Sequence, residues 1–103
     1  MNGPAGLPRD GEIDATRIES EIRRILVADL GVATERLAGT AGEVALLGSG
    51  VGLDSMEALV LVTALERAFA FEAIDEEMTP EALATIDTLA RSVQSWIARQ
   101  GAA

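Results

Sequence analysis

The sequence predicts an all-α fold: a four-helix bundle with three main helices, one short third helix, and a long loop between helices 1 and 2. Three observations carry this. Apolar residues recur at helical spacing in separated stretches. Those stretches open on residues that cap helices well, namely Asp, Ser or Thr. No stretch alternates apolar and polar residues as a half-buried strand would, and no internal repeat is present.

Residues 1–13 hold three glycines and two prolines and show no apolar periodicity. They are expected to be a disordered lead to a helical domain over 14–100, with 101–103 as a tail. In helix 1, Ala15, Ile18, Ile22, Ile25 and Leu26 fall on one face. Thr16 to Glu19 has the capping-box pattern, and Asp14 is the alternative cap. Leu30-Gly31-Val32 reads as a Schellman stop, with Gly31 left-handed. The helix should therefore span roughly 15–29.

Residues 31–53 make a long connection. Leu37, Val44, Leu46, Leu47, Val51 and Leu53 punctuate it, so it should pack on the bundle, with a short helical turn near 34–38. Helix 2 should start at Asp54 or Ser55 and run to Phe69, with Asp54 as cap and Glu57 completing an acidic capping box. Thr79 and Pro80 open the short third helix. Thr85 caps the last helix, and Asp87 in its first turn favours the dipole. Ile86, Leu89, Ala90, Val93 and Ile97 form the inner face of that helix. Trp96 lies at the edge of the stripe and is expected to be partly buried.

Composition removes most chemistry. The chain of 103 residues suits one small domain, 49% apolar but only 3% aromatic, so the core is aliphatic. There is no Cys, no His and no Lys; all eight bases are Arg. Disulfides, thiolate or imidazole metal sites, imidazole bases and Schiff-base lysines are all excluded. The chain is expected not to be an enzyme. A net charge of −9 disfavours nucleic acid and anionic lipid and favours partners with basic patches. With no apolar run of transmembrane length and no signal peptide, the expected location is cytoplasmic, without membrane insertion, as a monomer.

The acids are not spread evenly. Residues 54–81 carry eight acids against one base, Arg67, which is a net −7. Residues 1–30 hold six acids and four bases. Helix 2 also has two apolar sides. Ala58, Leu61, Val62, Leu65 and Phe69 make a core stripe; Met56, Leu59, Val60, Thr63 and Arg67 lie opposite. In a bundle of this size no helix is fully surrounded, so Met56, Leu59 and Val60, flanked by Glu57 and Glu66, read as a docking face. The alternative is that the 31–53 loop covers them.

Several motifs fail on inspection. Gly48-Ser49-Gly50-Val51-Gly52 lacks the next glycine of a dinucleotide loop, and a nucleotide loop would need Lys. Asp75-Glu76-Glu77 lacks the alternating ligands and the central glycine of a calcium loop. Ser55 has no base to make it a hydrolase nucleophile. It reads better as a substrate: a hydroxyl in the first turn of a helix, where backbone N–H groups favour a phosphate ester. Gly52 permits close approach, Asp54 sets an acid beside the hydroxyl, and Met56 offers an apolar handle.

Gly52-Leu53-Asp54-Ser55-Met56 resembles the Asp-Ser-Leu signature of the acyl carrier protein family. Ala64-Leu65-Glu66 with Phe69, the acidic run from Glu72 to Glu77, and the capped helix from Thr85 to Ile97 are similar to later parts of that family, over roughly residues 15–99. The resemblance implies an acyl-carrier-type four-helix bundle and a covalent 4′-phosphopantetheine on Ser55, making the chain a phosphoprotein. A phosphopantetheinyl transferase would add it from coenzyme A with its own magnesium. Leu53, Asp54 and Met56 would flank the group. Its thiol would carry acyl intermediates as thioesters to acyl-loading and acyl-processing enzymes. Met56, Glu57, Val60, Glu66, Glu76 and Glu77 match family positions that meet basic partners, and Leu59 joins them from the apolar strip.

The chain departs from that family at Val60 and Arg67, which stand where fatty-acid carriers have acids, and at Ala73-Ile74, which replaces an Ile-Pro pair. These differences point away from housekeeping fatty-acid synthesis and toward a stand-alone carrier in a specialised lipid or polyketide pathway. The alternatives are an aminoacyl or peptidyl carrier, or a helical interaction module with no prosthetic group. Small Ala73 and Ala82 near the third helix would leave room for a chain inside the bundle.

Overall fold

The computed structural model describes residues 14–101. The lead expected over 1–13 and the last two residues of the tail lie outside the described residues. Three α-helices, and no strand among the described residues, pack around one aliphatic core: α1 (Ala15–Ala28), α2 (Ser55–Phe69) and α3 (Ile86–Gly101). None of the described helices is long and apolar enough to cross a membrane.

The inner faces follow the 3.6-residue period. Ile18, Ile22, Ile25 and Leu26 of α1 are fully buried. So are Ile86, Leu89, Ala90 and Val93 of α3. Ala58, Leu61, Val62 and Leu65 form the buried stripe of α2, with Phe69 half-buried at its end. Trp96 is also fully buried rather than at an edge, because its ring stacks on Phe71 at 6.2 Å and its N–H finds an acceptor.

The caps settle where each helix starts. Asp14, not Thr16, opens α1, with its carboxylate accepting from the Arg17 N–H at 3.0 Å. A carboxylate at this position adds a favourable charge at the dipole's positive end, which a Thr hydroxyl does not. At the far end Gly31 is left-handed, φ 72°, as a stop requires. The closing bonds run from Leu30 N–H to Ile25 O, the span of a Schellman 6→1 bond, and from Val32 N–H to Leu26 O, one residue wider. In α3 the cap is reciprocal. The Thr88 N–H donates to Thr85 Oγ1 at 3.1 Å and the Thr85 N–H to Thr88 Oγ1 at 3.0 Å.

The short third helix is reduced to a turn over 80–83. Thr79 does cap it, accepting from the Ala82 N–H at 3.1 Å, and two main-chain bonds follow, Leu83 N–H to Thr79 O and Ala84 N–H to Glu81 O. One α-type bond and one longer i−3 bond do not repay the cost of nucleating a helix, so the chain leaves after a single turn. A three-residue 3₁₀ turn, Asp75–Glu77, precedes it.

The long connection is ordered by its apolar anchors and by two arginines. Leu37, Val44, Leu46, Val51 and Leu53 are buried in the core, and the expected helical turn is a 3₁₀ turn at Thr34–Leu37. Arg23 of α1 donates to the Leu37 and Gly39 carbonyls at 2.6 and 2.9 Å, and Arg36 donates to Gly50 O at 2.8 Å. Leu46 N–H to Ala84 O and Ile86 N–H to Val44 O tie the loop to the start of α3, with one β-bridge between Ala45 and Thr85.

Candidate functional site

The Gly48–Gly52 run ends against the N-terminus of α2 and sets its direction. Gly48 and Gly52 have φ of 71° and 81°, which other residues adopt at a cost. A Cβ on Gly50 would collide with the Ala45 carbonyl. The glycines thus allow a tight reversal, closed by Val51 N–H to Ala45 O and Leu53 N–H to Leu46 O. Leu53 is pulled into the core and Asp54 emerges at the surface. The run is a structural turn, in keeping with the absence of a nucleotide-loop pattern.

At Asp54 the acidic capping box is complete. Its carboxylate accepts from the Glu57 N–H at 2.8 Å, and the Asp54 N–H donates to Glu57 Oε1 at 3.0 Å. The Asp54 carbonyl accepts from Ala58 at 2.9 Å. The Ser55 and Met56 N–H groups are then the first-turn donors with no intrahelical acceptor. Ser55 itself is exposed. It stands on the rim of a cleft of about 610 Å³, whose apolar walls include Leu47, Val62, Met78 and Leu83. Ala73 and Ala82 are not among the residues that line it.

The outward face of α2 is open. Met56, Leu59 and Val60 are 72%, 53% and 46% exposed, and the 31–53 loop does not cover them. Thr63 and Arg67 continue the strip in solvent. Leu59 and Val60 also border a second groove that includes Arg24 of α1 and Arg67.

The acids expected to meet partners differ in what they already do. Glu57 is part of the capping box. Glu66 accepts from the Ala73 N–H at 2.7 Å, so it ties down the segment that follows α2. Glu77 accepts from Trp96 Nε1 at 2.9 Å and from both terminal nitrogens of Arg99, at 2.5 and 3.0 Å. Arg99, and after it the Trp96 N–H, hold the Glu77 carboxyl far below its ordinary value of 4.5, at about 2. Glu76 is exposed and lies beside Glu77. Sequence reasoning missed Trp96 and Arg99 as partners of Glu77. One signal was available: a Trp on an inner helical face brings a ring N–H that needs an acceptor.

Ser55, Asp54, Leu53 and Met56 are brought together at one helix end, and Glu57, Leu59, Val60 and Glu66 follow along α2. Glu76 and Glu77 lie on the separate 3₁₀ turn. Among the described residues, no group of three or more Asp or Glu is placed to hold a metal ion. No protein-family model matches the sequence, and no solved structure gives a significant match to the fold.

Proposed function

We propose that this protein is a carrier of the acyl carrier type, in which Ser55 is the attachment point for 4′-phosphopantetheine. The observation that carries the reading is the placement of Ser55: the first residue of α2, exposed, flanked by the Asp54 cap, on the rim of an apolar cleft. The residues present fit the group. The Ser55 hydroxyl supplies the ester oxygen. The Ser55 and Met56 N–H groups favour the phosphate's charge at the helix N-terminus. Leu53 is buried beneath the attachment point, and the cleft offers apolar surface next to it. The bound group supplies the thiol that this cysteine-free chain lacks, on which acyl intermediates are held as thioesters.

The chain's own residues present the cargo; the transferase and the processing enzymes supply the catalysis. Met56, Leu59 and Val60 form the apolar part of the docking face, and the acids around them attract basic partners. Val60 and Arg67 reduce the acidity of α2 itself, in keeping with partners other than those of housekeeping fatty-acid synthesis, in a specialised lipid or polyketide pathway.

Incubation with a broad-specificity phosphopantetheinyl transferase and coenzyme A, read by intact mass, tests this. One addition is expected, and none in Ser55→Ala. No addition to the wild type, or an addition that survives in Ser55→Ala, refutes the reading. The exposed apolar strip favours a second reading, an aminoacyl or peptidyl carrier. The acyl or aminoacyl thioester carried by protein purified from its source decides between the two.

A further inference from the structure

Between α2 and α3 the chain runs as a strap, Phe71–Thr85, and Met78, Pro80 and Leu83 of this strap wall the cleft beside Ser55. Both ends of the strap are pinned. Phe71 is buried on Trp96, and the Glu72 N–H and carbonyl bond the two ends of the Gln100 amide at 2.8 and 2.5 Å. At the other end Ala84 O accepts from Leu46, and Thr85 bridges to Ala45.

The middle is held differently. From Ile74 to Glu81, the only hydrogen bonds to other elements among the described residues are those accepted by the Glu77 carboxylate from α3. No residue in that stretch is fully buried. Its regular structure is one 3₁₀ turn, which has little stability of its own. The two donors on Glu77 are unlike each other. The Trp96 ring is sealed in the core at 1% exposure. The Arg99 and Glu77 side chains are 49% and 45% exposed, so the ion pair between them is open to solutes. An exposed pair is weak and exchanges readily with other cations.

We infer that Glu77 is an exchange point: a cationic side chain of a docking partner takes the place of Arg99 on its carboxylate, loosening the middle of the strap and with it the Met78 wall of the cleft. The identity of the partner rests on the carrier reading; the exchange itself does not. Arg99 is the tie between this turn and the last turns of α3 that a cation can displace without opening the core. Glu76, exposed next to Glu77, adds charge that draws a guanidinium or ammonium group to this spot. Docking at the acidic turn thereby reaches the space next to Ser55 through a single side chain.

The test is amide hydrogen exchange on the unmodified protein. The N–H groups of Glu77, Met78 and Leu83 are hydrogen-bonded within the strap and report its opening. In Arg99→Gln their exchange is expected to be about two- to fivefold faster, the size an exposed ion pair allows. The amides of α1 should be unchanged. Tetra-arginine amide should give the same acceleration in the wild type and none in Glu77→Gln. Glu76→Gln should leave exchange in the absence of the peptide as it is. Unchanged exchange in Arg99→Gln, equal acceleration in α1, acceleration in Glu76→Gln, or a tetra-arginine effect that persists in Glu77→Gln would each overturn the inference. A chain that accepts no phosphopantetheine would refute the carrier reading and leave this result standing.

Discussion

The Glu77 carboxylate accepts hydrogen bonds from Trp96 and Arg99, and protonation removes the charge that strengthens both. Its folded value of about 2 lies below the ordinary 4.5, so the carboxylate form is favoured by the fold. The sign follows from linkage. The stabilisation is complete above 4.5 and is lost as pH falls from 4.5 through about 2. Glu77→Gln should therefore be less stable than the wild type at neutral pH, and the difference in denaturant midpoint should shrink through that window. A constant difference down to pH 2 would mean that the ion pair contributes nothing. At Ser55 the residue scale is simpler. The capping box satisfies the Asp54 and Glu57 N–H groups, so the exposed hydroxyl and the Ser55 and Met56 N–H groups are what the helix end leaves available.

Each element owes its place to one or two residues. The direction of α2 depends on the reversal at Gly48–Gly52, and Gly50 is where the backbone passes closest to Ala45. Gly50→Ala should push the loop outward and destabilise the fold. Chemical-shift changes should centre on Ala45, Val51 and Leu53, where the closing hydrogen bonds sit. Leu65→Ala in α2, at a fully buried position, should cost about 2–5 kcal/mol in chemical unfolding. Leu59→Ala, on the exposed face of the same helix, should stay within about 0.5 kcal/mol of the wild type. The contrast between these two leucines, six residues apart, measures how far α2 is a core helix on one side and an open face on the other. Capping and apolar period made these helices readable from the chain alone. The third helix was not, because its cap is present but the segment after it forms only one main-chain turn before the pairing of Ala84 with Leu46 takes over.

For the whole molecule, a net −9, of which −7 falls on 54–81, bears on encounter with partners. Association with a phosphopantetheinyl transferase should slow as salt rises. Glu76→Gln should lower the association rate more than it raises the dissociation rate, because Glu76 is exposed charge. Association rates that ignore both salt and Glu76 would remove steering from the account.

The sequence by itself determined the three main helices, their inner faces, the Asp54 cap and the second apolar side of α2, while the fold decided that the 31–53 loop leaves that side open. These follow from local hydrogen bonding and from the period of apolar residues, which are properties of neighbours along the chain. Only the tertiary structure decided that Trp96 is sealed in the core, that Arg23 and Arg36 hold the long loop, and that Glu66 and Glu77 already serve the fold. Those contacts join residues far apart along the chain, or turn on how a loop closes against a helix. A carboxylate's spare oxygens carry no mark in the sequence of which donor will reach them.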